Sequence, residues 1–229
     1  RELLKTVPSG ADIYVAQHVP FGSRIKRMKN ATQLVEMLRG RKVTFITGHN
    51  HENTIYTIGK NMTDHNVASI CGAWWDTRHC MDGTPMGYKV FTKSGGKLSW
   101  YYKPVGMSSK HIAEAFTLGQ PTLHPNSLVV CVWDWDPEWK VEWYEDGISK
   151  GKMERVTDIS PIYKEEITKA YEGKELGWMA PNKSNNFFAA TPSRYAKNVT
   201  ITVESRIGQK WMQTLDLTGH IEKHMGCSE

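Results

Sequence analysis

The sequence predicts a layered α/β unit followed by a mainly β, immunoglobulin-like sandwich, with the division near Gly106. Three observations carry this expectation. The first fifty residues alternate apolar strand-like runs with one helical repeat, which is the pattern of a strand-helix-strand unit. The second half instead repeats short β-branched and aromatic runs separated by turn residues, as sandwiches do. With 229 residues, 39% of them hydrophobic, the chain has room for both parts, taken as residues 1–106 and 107–229.

Asp12 to Gln17 (DIYVAQ) reads as the first strand and ends at His18, which Val19 and Pro20 follow. A helix is expected over Asn30 to Leu38, because Ala31, Leu34, Val35 and Leu38 recur at helical spacing between a candidate N-cap, Asn30, and a terminating Gly40. Val43 to Thr47 is β-branched or aromatic throughout and reads as a buried central strand that Gly48 stops. A crossover between two such strands makes them parallel, so both C-termini fall on one edge of the sheet. That edge then carries His18, His49 and His51. Side chains alternate along extended backbone, so His49 and His51 are expected to leave on the same side, with Asn50 pointing away. An isolated His-x-His is more often solvated than liganded. A third histidine at the end of the neighbouring strand is what turns this pair towards metal chemistry.

Further strands are expected over Thr54 to Ile58 and Asn66 to Ala73. Trp74 to Gly87 then breaks all periodicity and reads as a long functional loop. Within it, Asp82 suits a turn that holds Gly83 and Thr84, and His79 reads as solvated. Tyr88 to Thr92 and Leu98 to Tyr102 flank Lys93 to Lys97, a segment with hairpin chemistry. Met107 to Pro125 is polar and irregular and is expected to be a linker. Six strand candidates follow: Ser127 to Trp133, Trp139 to Glu145, Ile148 to Glu154, Asn186 to Ala190, Asn198 to Glu204 and Lys210 to Leu217. Asp146-Gly147 marks a tight turn between two of them, and Pro161 to Tyr171 reads as one interrupting helix. Asp134, Asp136 and Glu138 place carboxylates at every second position, a spacing that suits calcium. Pro137 stiffens the segment, however, and a turn braced by tryptophans is the favoured reading. The tail from His220 to Glu229 is expected to fray.

The formal net charge is +5, part of it in Arg24, Lys26, Arg27 and Lys29 and in Arg39, Arg41 and Lys42. These residues form either a solvated basic face or a field that attracts an anionic phosphate. They make no long basic stripe with interleaved aromatics, so nucleic-acid binding is not expected. Nine tryptophans point to aromatic side chains filling a β core. Cys71, Cys80, Cys131 and Cys227 are too few and too scattered for a disulfide scaffold, although Cys71 and Cys80 are spaced either to pair or to remain free thiols. No run is long enough for a membrane span, and no signal peptide is visible.

His18-Val19-Pro20 and Gly48-His49-Asn50-His51 resemble the last two metal-binding motifs of the calcineurin-like metallophosphoesterases. The stretches CGAWWDTRHCMDGTPMGYKVF and WDWDPEWKVEWYEDG resemble a bacterial subgroup that carries an extra C-terminal domain. The resemblance implies hydrolysis of a phosphomonoester or phosphodiester at a dinuclear site of the Fe, Zn or Mn type. His18 and His49 would ligate one ion and His51 the other, with Trp74, Trp75 and Asp82 beside the substrate. It also implies a periplasmic, extracellular or cell-surface location. Three earlier family motifs, an Asp-x-His, a Gly-Asp and an Asn-His, do not precede His18. The chain is therefore expected to be the C-terminal portion of such an enzyme, to hold at most one weakly bound ion, to have no catalytic residue of its own and to be inactive alone. The alternative is a non-catalytic module whose aromatic sandwich binds a glycan or a protein at the cell surface.

Overall fold

Parallel pairing of the first two strands sets up the N-terminal part of the molecule. The computed structural model describes residues 2–219. The tail from His220 to Glu229, Cys227 included, lies outside the described residues. A short helix α1 (Glu2–Thr6) leads into β1 (Asp12–Ala16), α2 (Phe21–Arg24), α3 (Ala31–Met37), β2 (Lys42–Thr47), β3 (Thr54–Gly59) and β4 (Met62–Asn66). The sheet order is β1-β2-β4-β3, with β2 parallel to both of its neighbours and β3 antiparallel at the edge. Val43 and Phe45 are almost fully buried with Phe21, Ala31, Leu38 and Met62, so α2 packs on the sheet through Phe21 and the α3 segment through the apolar positions that the sequence pattern marks. The Phe21 and Phe45 rings stack with centroids 4.6 Å apart. Burying one such side chain contributes about 1.5–3 kcal/mol. Asn30 takes the N-cap position in a left-handed conformation, but its side chain makes no capping bond.

One strand expected here is displaced. Asn66 to Ala73 is not a strand; the partner of β3 is β4, and residues 67–73 run as coil and turn. β4 reads MTDHN, yet Asp64, His65 and Asn66 are all buried. Its carboxylate is paired inside the protein: Asp64 accepts from the Gly22 N–H at 2.7 Å and from the Thr47 hydroxyl at 2.7 Å. A strand buried through polar pairing carries no apolar signature, and the apolar NVASICGA beside it attracted the assignment instead.

β5 (Gly87–Ser94) and β6 (Lys97–Pro104) form the expected hairpin. The stretch expected to be a linker contains β7 (Ala113–Phe116), whose AEAF is too short and too evenly buried to show alternation. There follow β8 (Leu128–Val132), β9 (Lys140–Glu145), β10 (Ile148–Lys152), β11 (Glu154–Ile159), α4 (Pro161–Ala170), a 3-10 turn (Gly177–Met179), β12 (Lys183–Ala190), β13 (Asn198–Glu204) and β14 (Lys210–Asp216). The single strand expected from Ile148 to Glu154 is two, because the chain leaves β9's sheet near Met153 and enters the other as β11. Asp146 and Gly147 both have positive φ, 47° and 82°, as the tight hairpin between β9 and β10 requires.

Two antiparallel four-stranded sheets, β10-β9-β13-β14 and β11-β12-β8-β7, share one core. Val199, Ile201 and Val203 point into it from β13 and Leu128, Val130 and Val132 from β8. The molecule is thus mainly β with few helices: a small mixed sheet at the N-terminus, then antiparallel sheets, with no closed barrel among the described residues. Among the described residues no helix is long and apolar enough to cross a membrane. The acidic WDWDPE segment is occupied by cationic side chains. Lys89 from β5 pairs with Asp134 at 2.7 Å, both side chains buried, and Arg206 pairs with Asp136 at 2.8 Å and with Glu138 while lying over the Trp100 ring. These carboxylates therefore anchor the hairpin and the β13–β14 turn.

His65 is buried between the rings of Phe91 and Trp100, with Nδ1 unpartnered. Burial, helped by the Lys89 and Arg206 charges, pushes its imidazole down to about 2. Below the ordinary histidine value of about 6.5 the unfolded chain takes up a proton that the folded chain refuses, so stability falls as pH drops. This contribution reaches about 1.4 kcal/mol per pH unit. Urea unfolding of His65→Leu and the parent between pH 7 and pH 4 is expected to show this slope in the parent minus the variant.

Candidate functional site

The histidine edge is built by extending the β1–β2 ladder beyond both strands. Gln17 N–H donates to Ile46 O at 3.1 Å and Gly48 N–H to His18 O at 2.9 Å, so the two histidine-bearing turns lie side by side. His49 Nδ1 and His18 Nε2 face each other at 3.1 Å. Two nitrogens bound to one tetrahedral ion at 2.0–2.1 Å would sit about 3.4 Å apart, so a shared ion would need the two rings to part by a few tenths of an ångström and turn their lone pairs to a common point. Burial and the neighbouring Arg24 charge hold the His49 imidazole below its ordinary value, which favours the neutral form that a ligand needs.

His51 is placed differently. It is buried, with Nδ1 at 2.6 Å from Gly72 O. A carbonyl partner requires N–H at Nδ1 and leaves Nε2 as the free lone pair, the arrangement that outer-shell partners impose on metal-ligating histidines. Gly72 has φ 55°, and a Cβ there would lie 2.3 Å from Thr77 O, so only glycine presents this carbonyl. His18 and His49 converge, but His51 does not join them in one cluster: no three His, Cys, Asp or Glu side chains among the described residues gather to hold an ion together. The extended backbone expected to set His49 and His51 on one side is also absent, since their φ angles are 75° and 53°. Side-chain alternation therefore plays no part here; a compact turn, closed by Asn50 N–H to Gly48 O at 2.9 Å, does. Left-handed residues of this kind cost about 1–3 kcal/mol each and persist where surrounding structure enforces them.

That enforcement is visible on every side of the turn. Met81 N–H donates to His51 O at 3.1 Å and the Asn66 amide to Glu52 O at 2.8 Å. Asp82 Oδ2 accepts from Asn53 N–H at 2.8 Å, from the Thr84 hydroxyl at 2.9 Å and from the Asn186 amide at 3.0 Å, while Oδ1 accepts from Thr84 N–H at 3.0 Å. Asp82 is 2% exposed and burial raises its affinity for a proton. Its carboxylate is committed to partners in the protein, and it holds the Gly83-Thr84 turn as the spacing suggests. Burial and the Asp82 charge push the nearby Glu52 carboxyl up to about 7.

The loop after Gly72 forms one wall. Trp74 and Trp75 are exposed and left-handed, with φ 63° and 71°. His51 meets Trp74 and Trp178 with ring centroids 5.9 and 5.4 Å away. His79, expected to be solvated, is instead paired: Glu166 of α4 accepts from its ring at 2.9 Å and from the backbone N–H groups of Arg78 and His79. A partner 87 positions away leaves no trace in local sequence. The basic residues divide as well. Arg24 bonds Asn50 Oδ1 at 3.2 Å beside the histidines, whereas Arg41 binds the carbonyls of Val7 and Pro8 at the opposite edge and Lys42 pairs with Asp12. Cys71, Cys80 and Cys131 are free thiols.

Residues 64–211 match the family described as the C terminal of calcineurin-like phosphoesterase. The chain belongs to this family. The calcineurin-like phosphoesterase match begins in β4 and runs into β14, so it takes in the tryptophan loop, the β5–β6 hairpin and both sandwich sheets. His18, His49 and His51 precede the matched residues. No curated protein and no solved structure matches the chain. Sequence reasoning missed Asn53, Asn186, Glu166 and Trp178. Each acts through a partner distant in sequence, and no local pattern could have revealed them.

Removing the Asp82 carboxylate strands donors on three segments at once. Asp82→Ala is expected to cost at least about 3 kcal/mol in urea unfolding, and Asp82→Asn, which keeps one acceptor oxygen, clearly less.

Proposed function

We propose that this chain forms the C-terminal part of a metal-dependent phosphoesterase and supplies three of the ligands for a dinuclear site. The reading is carried by the facing nitrogens of His18 and His49, 3.1 Å apart at the C-terminal edge of parallel strands. His51, with its Nδ1 held by Gly72 O, presents Nε2 for a second ion. Divalent cations at such a site lower the pKa of water and neutralise charge on a phosphoryl group. The chain's own residues do the rest. His18 and His49 offer ring nitrogens, Gly72 fixes the His51 ring, and Arg24 adds positive charge on the side where a phosphate would enter.

Three neutral imidazoles offset none of the charge of two cations, so in this chain by itself one weakly bound ion is the limit and hydrolysis is negligible. The remaining donors, the bridging carboxylate among them, belong to the enzyme outside these residues. The paired antiparallel sheets are an immunoglobulin-like sandwich in this reading. A periplasmic, extracellular or cell-surface location goes with this reading and rests on the resemblance to the bacterial subgroup.

Calorimetric titration of the chain with Zn²⁺ is expected to give a stoichiometry no greater than one. His18→Ala and His49→Ala should each abolish that binding, and aryl phosphate hydrolysis should stay at background throughout. Two tightly bound ions, or binding that survives His49→Ala, would overturn the ligand assignment.

A further inference from the structure

Exposed tryptophan is unevenly placed in this protein. Of the nine tryptophans, all among the described residues, only Trp74, Trp75 and Trp178 are strongly exposed, at 63%, 76% and 55%. The other six fill the sandwich core or pack half-buried against it and the hairpin. Trp74 and Trp178 meet edge to face with centroids 5.9 Å apart, and both touch the His51 ring. The exposed indoles therefore gather at the rim of the candidate metal edge.

Holding them there takes structure. Trp74 and Trp75 are consecutive left-handed residues with bulky side chains, a conformation that a mere connection would relax. Their loop is pinned by Trp75 N–H to Cys71 O at 2.6 Å and by Ala73 N–H to the Thr77 hydroxyl at 2.9 Å. It is also clamped to α4. The Tyr171 hydroxyl donates to Asp76 at 2.6 Å, Glu166 holds Arg78 and His79, and Ala73 and Met81 pack on Tyr163 and Ile167. The same insertion between β11 and β12 then carries Trp178 on its 3-10 turn. One wall of the candidate site is thus made jointly by the tryptophan loop and by a segment inserted in the sandwich.

The chemistry of this rim selects among ligands. A sugar stacked on an indole also needs free polar side chains for its hydroxyls, but Asp76, His79 and Glu166 are bonded to one another or to Tyr171 and the backbone. The side chains that tie the loop to α4 are thus engaged with one another, while the indoles of Trp74 and Trp178 stay exposed. We propose that Trp74 and Trp178 form an aromatic wall that receives the flat aromatic group of the phosphoester, a nucleobase or an aryl ring, beside the histidine edge. The role given to the phosphate end rests on the phosphoesterase reading; the stacking surface itself does not. Stacking one ring on an indole face strengthens binding by about 5- to 150-fold.

The test uses the metal-free chain labelled with ¹⁵N, so that it stands apart from ion binding and turnover. Indole N–H signals of Trp74 and Trp178 are followed during titration with adenosine 5′-monophosphate, adenosine, ribose 5-phosphate and hexyl phosphate. Both signals are expected to move with the two adenine compounds and to stay still with ribose 5-phosphate. Trp178→Ala should weaken adenosine binding by about 5- to 150-fold, whereas Trp178→Phe, which keeps a ring, should retain most of it. Equal response to ribose 5-phosphate, stronger binding of hexyl phosphate than of adenosine, or unchanged affinity in Trp178→Ala would overturn the wall. Zn²⁺ binding that survives His49→Ala in the preceding experiment would instead remove the ligand assignment and leave this readout intact.

Discussion

The structure turns on one buried carboxylate. Asp82 accepts hydrogen bonds from the histidine turn through Asn53, from its own loop through Thr84 and from the sandwich through Asn186. Among the described residues no cationic side chain contributes to this shell, so backbone, hydroxyl and amide donors compensate its burial. A carboxylate with that many fixed donors tolerates only one arrangement of the three segments, because loss of any donor exposes the desolvation cost of the rest. Asn53 adds a bond to Trp133 O at 2.5 Å, and the Asn186 amide also reaches Asn53 O at 3.1 Å. The N-terminal sheet and the sandwich are consequently joined at the residues that position His51.

Strain is concentrated around the same point. Of the six non-glycine residues with positive φ among the described residues, four are His49, His51, Trp74 and Trp75. Such backbone is unfavourable by itself and survives only where neighbouring bonds over-determine it. Those bonds are the ladder extension at Gly48, the Gly72 carbonyl on His51 and the Glu166 clamp on the loop. A scaffold that bends its backbone to present imidazole and indole side chains, and leaves Trp74 and Trp75 exposed, is arranged for a ligand more than for its own stability.

The second half of the chain is more than an appendage in this arrangement. Its insertion between β11 and β12 supports the loop and contributes Trp178, while Lys89 and Arg206 tie the β5–β6 hairpin to the acidic turn after β8. The ion pair between Lys89 and Asp134 is fully buried, and buried pairs of this kind specify a docking geometry more than they stabilise it. Hairpin, loop and sandwich therefore behave as one support for the histidine edge.

What the sequence determined by itself is local. The β-branched run Val43 to Thr47, the hairpin turn at Asp146-Gly147, the Pro161 start of α4 and the alternation in β13 follow from conformational preference and hydrophobic period, which act over a few residues. The histidine-bearing strand ends were legible for the same reason, since an apolar run stopped by glycine announces its own terminus. The tertiary structure decided everything that depends on partners distant in the chain. β4 is a strand because Asp64 finds Gly22 and Thr47, β7 because β8 lies beside it, and His79 is paired because α4 brings Glu166 to it. His18 and His49 meet while His51 turns to Gly72, because hydrogen bonds between separate segments, which no single stretch of sequence encodes, set the backbone there.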